Sequence, residues 1–341
     1  VRGSDWTFFR RLLITTAVVA VAYVGWSVAG LFILLFAAVL LAVLLTGVSE
    51  LVSRYTRVPS RWTLPLTAVV IAASLIGFFV FFGTQVAAQV ADVFSRLPDA
   101  LDAAGRRFGI DNTSDRLERT LSENAGGHLL SRAASIGYTV IGFVADLVLV
   151  LVTGIYLAAD PGLYRRGVAK MFPKRQHREV IEALDATAIA LRLWFGGQLV
   201  AMLLVGVLSA TAYLLIGLPS ALGLAIIAGL TNFIPMLGPV IGAVPALLFA
   251  FTQGPTAVLW TLAAIVAIQQ LEGNLITPLV QRRAVDIPPA VILFAIAGFG
   301  VLAGPLGVVF AVPLTVVLMV LIQKLWIGEV LGQPTRLPGE D

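Results

Sequence analysis

Thr231-Asn232-Phe233-Ile234-Pro235-Met236-Leu237-Gly238-Pro239 interrupts a long apolar stretch, 221–251. Pro235 and Pro239 each lack an amide donor and Gly238 permits a tight turn, so a regular helix cannot run straight through. On each side about 13 residues remain, or about 20 Å of helix, too short to cross a ~30 Å hydrocarbon core. Irregular backbone at that depth is tolerated only where it is buried in protein or lines a cavity. Two readings are open at this point: a kinked single crossing, or a re-entrant hairpin that enters and leaves on one side.

The surrounding chain is equally apolar. Of 341 residues, 59% are hydrophobic and 12% charged, with a mean hydropathy of +0.96. Soluble domains carry about 25% charged residues. The apolar residues come in runs over 12–30, 31–49, 64–87, 136–158, 196–218, 221–251, 257–276 and 290–322. The fold class expected is therefore all-α: a polytopic membrane protein of about eight hydrophobic segments. A tight turn around Gly25 and Gly30 should separate the first two. The last segment is interrupted like 221–251, at Gly298-Phe299-Gly300 and Gly304-Pro305-Leu306-Gly307. The pattern of a span, a proline, an apolar stretch, a Gly-Pro break and a later proline thus occurs twice: Pro219, Gly238-Pro239 and Pro245, then Pro288-Pro289, Gly304-Pro305 and Pro313.

Charge orders these segments. The N-terminus carries Arg2, Arg10 and Arg11, and the loop after the second span Arg54, Arg57 and Arg61. Both should face the cytoplasm. Residues 88–134 hold six Arg against seven acidic residues and should face outside; 159–192 hold seven Lys/Arg against four acidic residues and should face inside. If 221–251 is a hairpin entering from outside, Arg282 and Arg283 fall inside and 290–322 enters from inside. Two units of span plus hairpin would then form an inverted repeat, a plan that secondary transporters share. Both termini are expected in the cytoplasm on either reading.

Five regions follow. Residues 1–87 form a three-helix membrane segment, and 88–135 an extracytoplasmic amphipathic cap. Residues 136–192 hold the fourth span, ending at Asp160-Pro161, and a basic segment broken by Pro173. The apolar face of that segment (Val180, Ile181, Leu184, Ala188, Leu191) should lie at the headgroups. Residues 193–323 form the transport core, and 324–341 a short polar tail.

The absences are informative. There is no cysteine, so no disulfide, thiol nucleophile or thiolate metal site. His128 and His177 are far from any HExxH pattern, and no GxxxxGK[ST] occurs. An enzyme and a bound cofactor are not expected. The net charge of +4 is read as topology rather than nucleic-acid binding. The partners expected are the lipid bilayer and a small-molecule or ion substrate.

Function should lie where polar groups enter the hydrocarbon. Glu272 sits in Gln269-Gln270-Leu271-Glu272-Gly273-Asn274, at the polar end of a span. Intramembrane carboxylates mark pathways and proton relays; the alternative is a surface glutamate close to Arg282 and Arg283. Asn232, Pro235, Gly238 and Pro239 form the first break, and Gly304 and Pro305 the second. Carbonyls freed at such breaks suit a cation, and helix N-termini an anion. Gln198, early in the fifth span beside Gly196-Gly197, is either a substrate contact or helix–helix glue. Asp146 is a second intramembrane carboxylate, read either as an ion-pair partner or as a structural contact.

These motifs together resemble the AI-2E (autoinducer-2 exporter) transporter family. The Pro235-Met236-Leu237-Gly238-Pro239 stretch with Pro245-Ala246 is similar to that family's Pro-x-x-Gly-Pro segment. Gln270-Leu271-Glu272-Gly273-Asn274 with Pro278 is similar to its Gln-Glu-Gly-Asn segment, and Gly304-Pro305-Leu306-Gly307 with Ala311-Val312-Pro313 to its C-terminal Gly-x-x-Gly segment. One departure is Phe195-Gly196 before Gly197-Gln198, where the family often has a basic residue. The resemblance implies a multipass carrier of a prokaryotic cytoplasmic membrane, assembled as a homo-oligomer with a pentamer as candidate. It implies export of an autoinducer-2-like solute or, alternatively, Na⁺(Li⁺)/H⁺ antiport. A non-transporting scaffold is the third alternative, and it leaves the intramembrane polar residues unexplained.

Overall fold

The computed structural model describes residues 2–55, 62–74, 77, 129–276 and 287–333. Among them there is no strand. The helices are α1 (Arg2–Ser27), α2 (Ala29–Tyr55), α3 (Trp62–Ser74), α4 (Leu129–Ala159), α5 (Pro161–Ala169), α6 (His177–Ile216), α7 (Ala221–Thr231), α8 (Leu237–Gln253), α9 (Pro255–Leu271) and α10 (Pro289–Leu321). A π-helical turn, Glu272–Ile276, extends α9, and another, Ile322–Val330, extends α10. The extracytoplasmic cap expected over 88–135 lies outside the described residues as far as 128, and so do Arg282 and Arg283; Leu129 onward already belongs to α4.

Four helices among the described residues are long and apolar enough to cross a membrane: Ala29–Arg54, Lys174–Ile216, Pro255–Leu275 and Pro289–Glu329. A fifth is added if α4 and α5, bent by 88° at Asp160, count as one. The eight segments expected are not all separate crossings, for two physical reasons. First, α7 and α8 are a hairpin. A Cβ on Gly242 would sit 2.9 Å from Ala228 Cα, and one on Gly238 would collide with the Thr231 carbonyl, so the arms run antiparallel with glycines at their contact. Second, α10 is also a hairpin despite its continuous helical hydrogen bonding. Ala303 (φ −136°, ψ 18°) and Gly304 (φ 62°, ψ −146°) leave helical geometry. Eight residues of straight helix span about 12 Å, yet a Cβ on Gly307 would collide with the Phe299 carbonyl and one on Gly300 would lie 2.9 Å from Val308 Cγ2. The chain therefore reverses at Ala303-Gly304, and the apolar length of Pro289–Glu329 is folded in two.

α6 is the organising element. Its 40 residues make a rod of about 60 Å. The surface helix expected after Pro173, with its apolar face from Val180 to Leu191, is not separate: Val180, Ala183, Thr187, Ala190 and Leu191 are buried on the same helix that continues into the fifth span. That face packs on protein rather than lipid. The rod stops at Gly217 (φ 81°), where the Leu218 amide donates to the Tyr213 carbonyl over 3.0 Å, a left-handed glycine cap.

The two hairpins meet α6 from opposite ends. α7 runs back along α6 from Gly217. Gly206 and Gly229 allow close approach there, a Cβ on Gly229 falling 2.8 Å from the Met202 carbonyl. At the other end, Lys324 Nζ pairs with Glu182 over 3.3 Å, and Val312, Val316 and Val320 share a core with Ala190, Leu191, Trp194 and Leu40 of α2. The tips therefore point toward one another along the rod. Each second arm carries a proline, Pro245 or Pro313, within its helix.

The N-terminal helices depart from expectation at one point. Val28 donates to Val24 O (3.0 Å) and Phe32 to Val28 O (3.2 Å), so helical bonds reach across the junction, and α1 does not fold back along α2 as the turn at Gly25 and Gly30 predicts. α2 instead packs on α3 and α4 through Leu41, Ala42, Leu45, Ala68 and Ala158. The polar tail expected after Lys324 is helical as far as Val330.

Candidate functional site

The first break falls where α7 ends and α8 begins. Asn232 still has helical geometry (φ −62°, ψ −10°), and Met236 takes φ 70°, a left-handed conformation costly for a residue with a Cβ. Two neighbours over-determine this tip. Gln198 Nε2 on α6 donates to the Asn232 carbonyl over 2.6 Å. Asn232 Nδ2 donates to Glu272 Oε1, at the end of α9, over 2.8 Å. Gln198 and Asn232 are 4% and 1% exposed, so this chain of contacts lies inside the protein. Gln269, one turn before Glu272, lies on the same side of α9 as the carboxylate.

The cluster has spare acceptors. Asn232 Oδ1 and Glu272 Oε2 are buried with no hydrogen-bond partner among the described residues. Buried polar atoms are seldom left so, and those that are point to an ion, a water or a substrate group. A small cavity of about 20 Å³ opens at Gln269, lined also by Ser209, Tyr213, Pro239, Gly242 and Ile268; neither Asn232 nor Glu272 lines it. That is room for about one water.

The expected residues divide into three sets. Gln198, Asn232, Gln269 and Glu272 come together, with Pro235, Gly238 and Pro239 shaping the tip around them. Gln270 and Asn274 do not join: they bond each other over 3.2 Å on the exposed side of α9. The physical reason is helical phase, since residues two positions from Glu272 point away from it. Gly304 and Pro305 form the second tip and do not join the cluster; the first tip approaches the second arm of that hairpin instead. Phe233, next to Asn232, stacks edge-on against Trp194 (5.9 Å) and Phe195 (6.2 Å) and packs on the core that holds Val312 and Val316. Asp146 is half-buried on α4, a helix that packs chiefly on α2.

The sequence reading missed three features. The Trp194, Phe195 and Phe233 group packs behind the first tip; aromatics in apolar runs give no signal of their own. Ser209 and Tyr213 line the cavity, and only their spacing of four on α6 announced a shared face. Arg192, two turns before Gln198, donates from Nη1 to Glu50 Oε2 (2.9 Å) and from Nη2 to Thr46 Oγ1 (2.9 Å), clamping α6 to α2. A lone arginine entering an apolar span was the available clue.

The tip of the first hairpin thus brings Asn232 between Gln198 of α6 and Glu272 at the end of α9, and sequence comparison identifies the family to which this chain belongs. The profile described as AI-2E family transporter matches residues 12–326. "Putative transport protein MT0215" of Mycobacterium tuberculosis is 30% identical over 92% of this chain and 87% of its own length. "Putative transport protein YueF" of Bacillus subtilis is 29% identical over 73% of each chain. "AI-2 transport protein TqsA" of Escherichia coli is 22% identical over 84% of each chain. The expected multipass membrane architecture and family stand together: this chain belongs to the AI-2E family of transporters.

Proposed function

We propose that this protein is a secondary transporter that exports a small polar solute of the autoinducer-2 type, coupled to protons through Glu272. One observation carries the reading: Asn232 ties the tip of the first hairpin to Glu272. An ionised Glu272 accepts from Asn232 Nδ2. A protonated one is itself a donor and no longer needs that amide, so the Asn232 side chain can present either its amide or its free oxygen. Proton binding at Glu272 then weakens one of the two tethers on the tip, while Gln198 still holds the backbone. A polar solute with adjacent hydroxyls finds donors and acceptors in Gln198, Asn232 and Gln269, and apolar backing in Phe233. TqsA, a relative named for AI-2 transport, supports this solute class.

A second reading is favoured by a different observation. The two unpartnered oxygens, Asn232 Oδ1 and Glu272 Oε2, belong to hydrogen-bonded side chains and suit a hard monovalent cation. Sodium or lithium exchange against protons would use the same carboxylate. The large apolar exposure of α9, with Leu259 68% and Trp260 65% exposed, is consistent with a lipid-facing surface or a homo-oligomer contact, a pentamer being the candidate. Cytoplasmic termini remain the orientation proposed from loop charge.

Proteoliposomes with an internal pH dye and an imposed pH gradient test both readings. Furanone flux with a proton component, lost in Glu272→Gln, is the expected result. Gradient collapse on adding Na⁺ or Li⁺ alone, lost in the same variant, would replace exporter by antiporter. A wild type that moves neither would return the chain to the scaffold alternative.

A further inference from the structure

The basic segment after α4 is left unused by the transport core, and its geometry is specific. Asp160 ends the fourth span and caps α5, its Oδ1 accepting from the Leu163 amide over 2.9 Å, with Pro161 at the first helical position. The resulting bend is 88°. If α4 crosses the bilayer, α5 lies nearly in the membrane plane. One side of α5 is spoken for: Arg165 pairs with Asp185 of α6, and Ala169 is 2% exposed.

A different side carries Tyr164, Val168 and Met171, at the i, i+4, i+7 spacing of one helical face; these are 40%, 40% and 84% exposed. Leu163 and Phe172 flank them at 56% and 41%. Arg166, Lys170, Lys174 and Arg175 are exposed along the same segment and make no ion pair among the described residues. A short helix in the plane of a membrane, with a free apolar face on one side and unpaired cations on another and just beyond its end, matches an interfacial element on a negatively charged leaflet.

We propose that α5 and residues 170–175 form a binding site for anionic phospholipid, with Tyr164, Val168 and Met171 among the acyl chains and Arg166, Lys170, Lys174 and Arg175 on the phosphates. The occupant is lipid rather than an acidic protein because the same short segment carries unpaired cations on one side and, on another, apolar side chains that need hydrocarbon. The charge and the apolar face are complementary to the two layers of a leaflet at once. The site is independent of the transport reading and stands or falls separately.

The native chain has no cysteine, so single labels at Arg166, Val168 and Met171 report depth cleanly. Spin labels at these positions would be read in nanodiscs of phosphatidylcholine alone and with phosphatidylglycerol. Labels at 168 and 171 are expected to favour collision with oxygen, and the label at 166 with a water-soluble nickel chelate. Phosphatidylglycerol should deepen the first two. Spin-labelled phosphatidylglycerol should also associate in preference to phosphatidylcholine, by up to about five-fold for each cation. Neutralising Arg166, Lys170, Lys174 and Arg175 to Gln together should abolish that preference while the folded protein is retained. Three results would overturn the proposal: equal nickel access at all three labels, a lipid preference unchanged in the fourfold variant, or labels at 168 and 171 shielded from both colliders. The last would mean that protein covers the face.

Discussion

Removing the Asn232–Glu272 contact, and measuring its energy as a cycle, tests the central link of the site. The bond is 2.8 Å long, its donor residue is 1% exposed, and its acceptor is a carboxylate. Hydrogen bonds to charged groups contribute about 1.5–3 kcal/mol, and stranding a buried polar group costs about 1–3 kcal/mol. Asn232→Leu strands Glu272, whose Oε2 already lacks a partner. Glu272→Met strands Asn232, whose Oδ1 already lacks one. Each single variant should therefore lose about 2–3 kcal/mol. The double variant strands neither and should lose less than the sum, by about 1.5–3 kcal/mol, a factor of about 10–150 in the folding equilibrium. The assay is reversible unfolding in mixed detergent, followed by tryptophan fluorescence, on wild type, both singles and the double. Single losses that add to within about 0.5 kcal/mol would mean the two side chains are energetically independent. In that case Asn232 cannot report the protonation of Glu272 to the hairpin tip, and the coupling argument fails even if transport itself is observed.

Three further outcomes follow from packing. Gly238→Ala and Gly307→Ala each push a Cβ into a backbone carbonyl of the opposing arm, so each should cost about 3 kcal/mol or more in detergent melts; Gly298→Ala, with open space around it, should cost far less. Equal melting of all three would mean that the arms are not antiparallel. Among the described residues Thr261 Oγ1 is buried without a partner, so Thr261→Val should raise stability by about 1 kcal/mol, and a fall would reveal a hidden partner. Gln270→Ala and Asn274→Ala should leave flux in proteoliposomes unchanged, whereas Gln198→Leu, which frees the Asn232 carbonyl, should lower it at least ten-fold; loss of flux in the first pair would place the outward face of α9 in the pathway.

Much of this fold is legible in the sequence because its strongest signals are backbone constraints. Pro235, Gly238 and Pro239 announce the first break, Gly304-Pro305 the second, and Asp160-Pro161 the end of the fourth span; each is a chemical limit on φ or on donors, and it is decisive where Gly and Pro fall together, whereas the lone Pro245 and Pro313 are held within helices. What escapes is continuity. Val180 to Leu191 has the periodicity of a surface helix, and nothing local says that it runs unbroken into the fifth span as one rod. Gly25 and Gly30 read as a turn, yet glycine only permits one, and helical bonds reach across Val28 instead. At the site, residue type singled out Gln198, Asn232 and Glu272. Phase along α9 then separates Gln269, turned inward, from Gln270 and Asn274, turned outward. Proximity to a carboxylate in sequence is a weak guide to proximity in space when the element is helical.

The two hairpins are alike in frame and unlike in chemistry, and that difference bears on how the molecule works. Both arms close on a glycine laid against a carbonyl seven or eight residues earlier, Gly238 on Thr231 and Gly307 on Phe299, and both second arms carry a proline. The first tip, however, holds Asn232 and a strained Met236, and polar side chains from α6 and α9 tether it. The second, Gly298 to Gly307, contains no polar side chain at all and turns on the backbone of Ala303 and Gly304. Only the first tip has groups whose hydrogen bonds change with a proton or a polar solute. On the function proposed above, recognition would reside on hairpin one, Gln198 and Glu272, while hairpin two supplies an apolar wall, through Val312 and Val316, against which Phe233 and Trp194 pack.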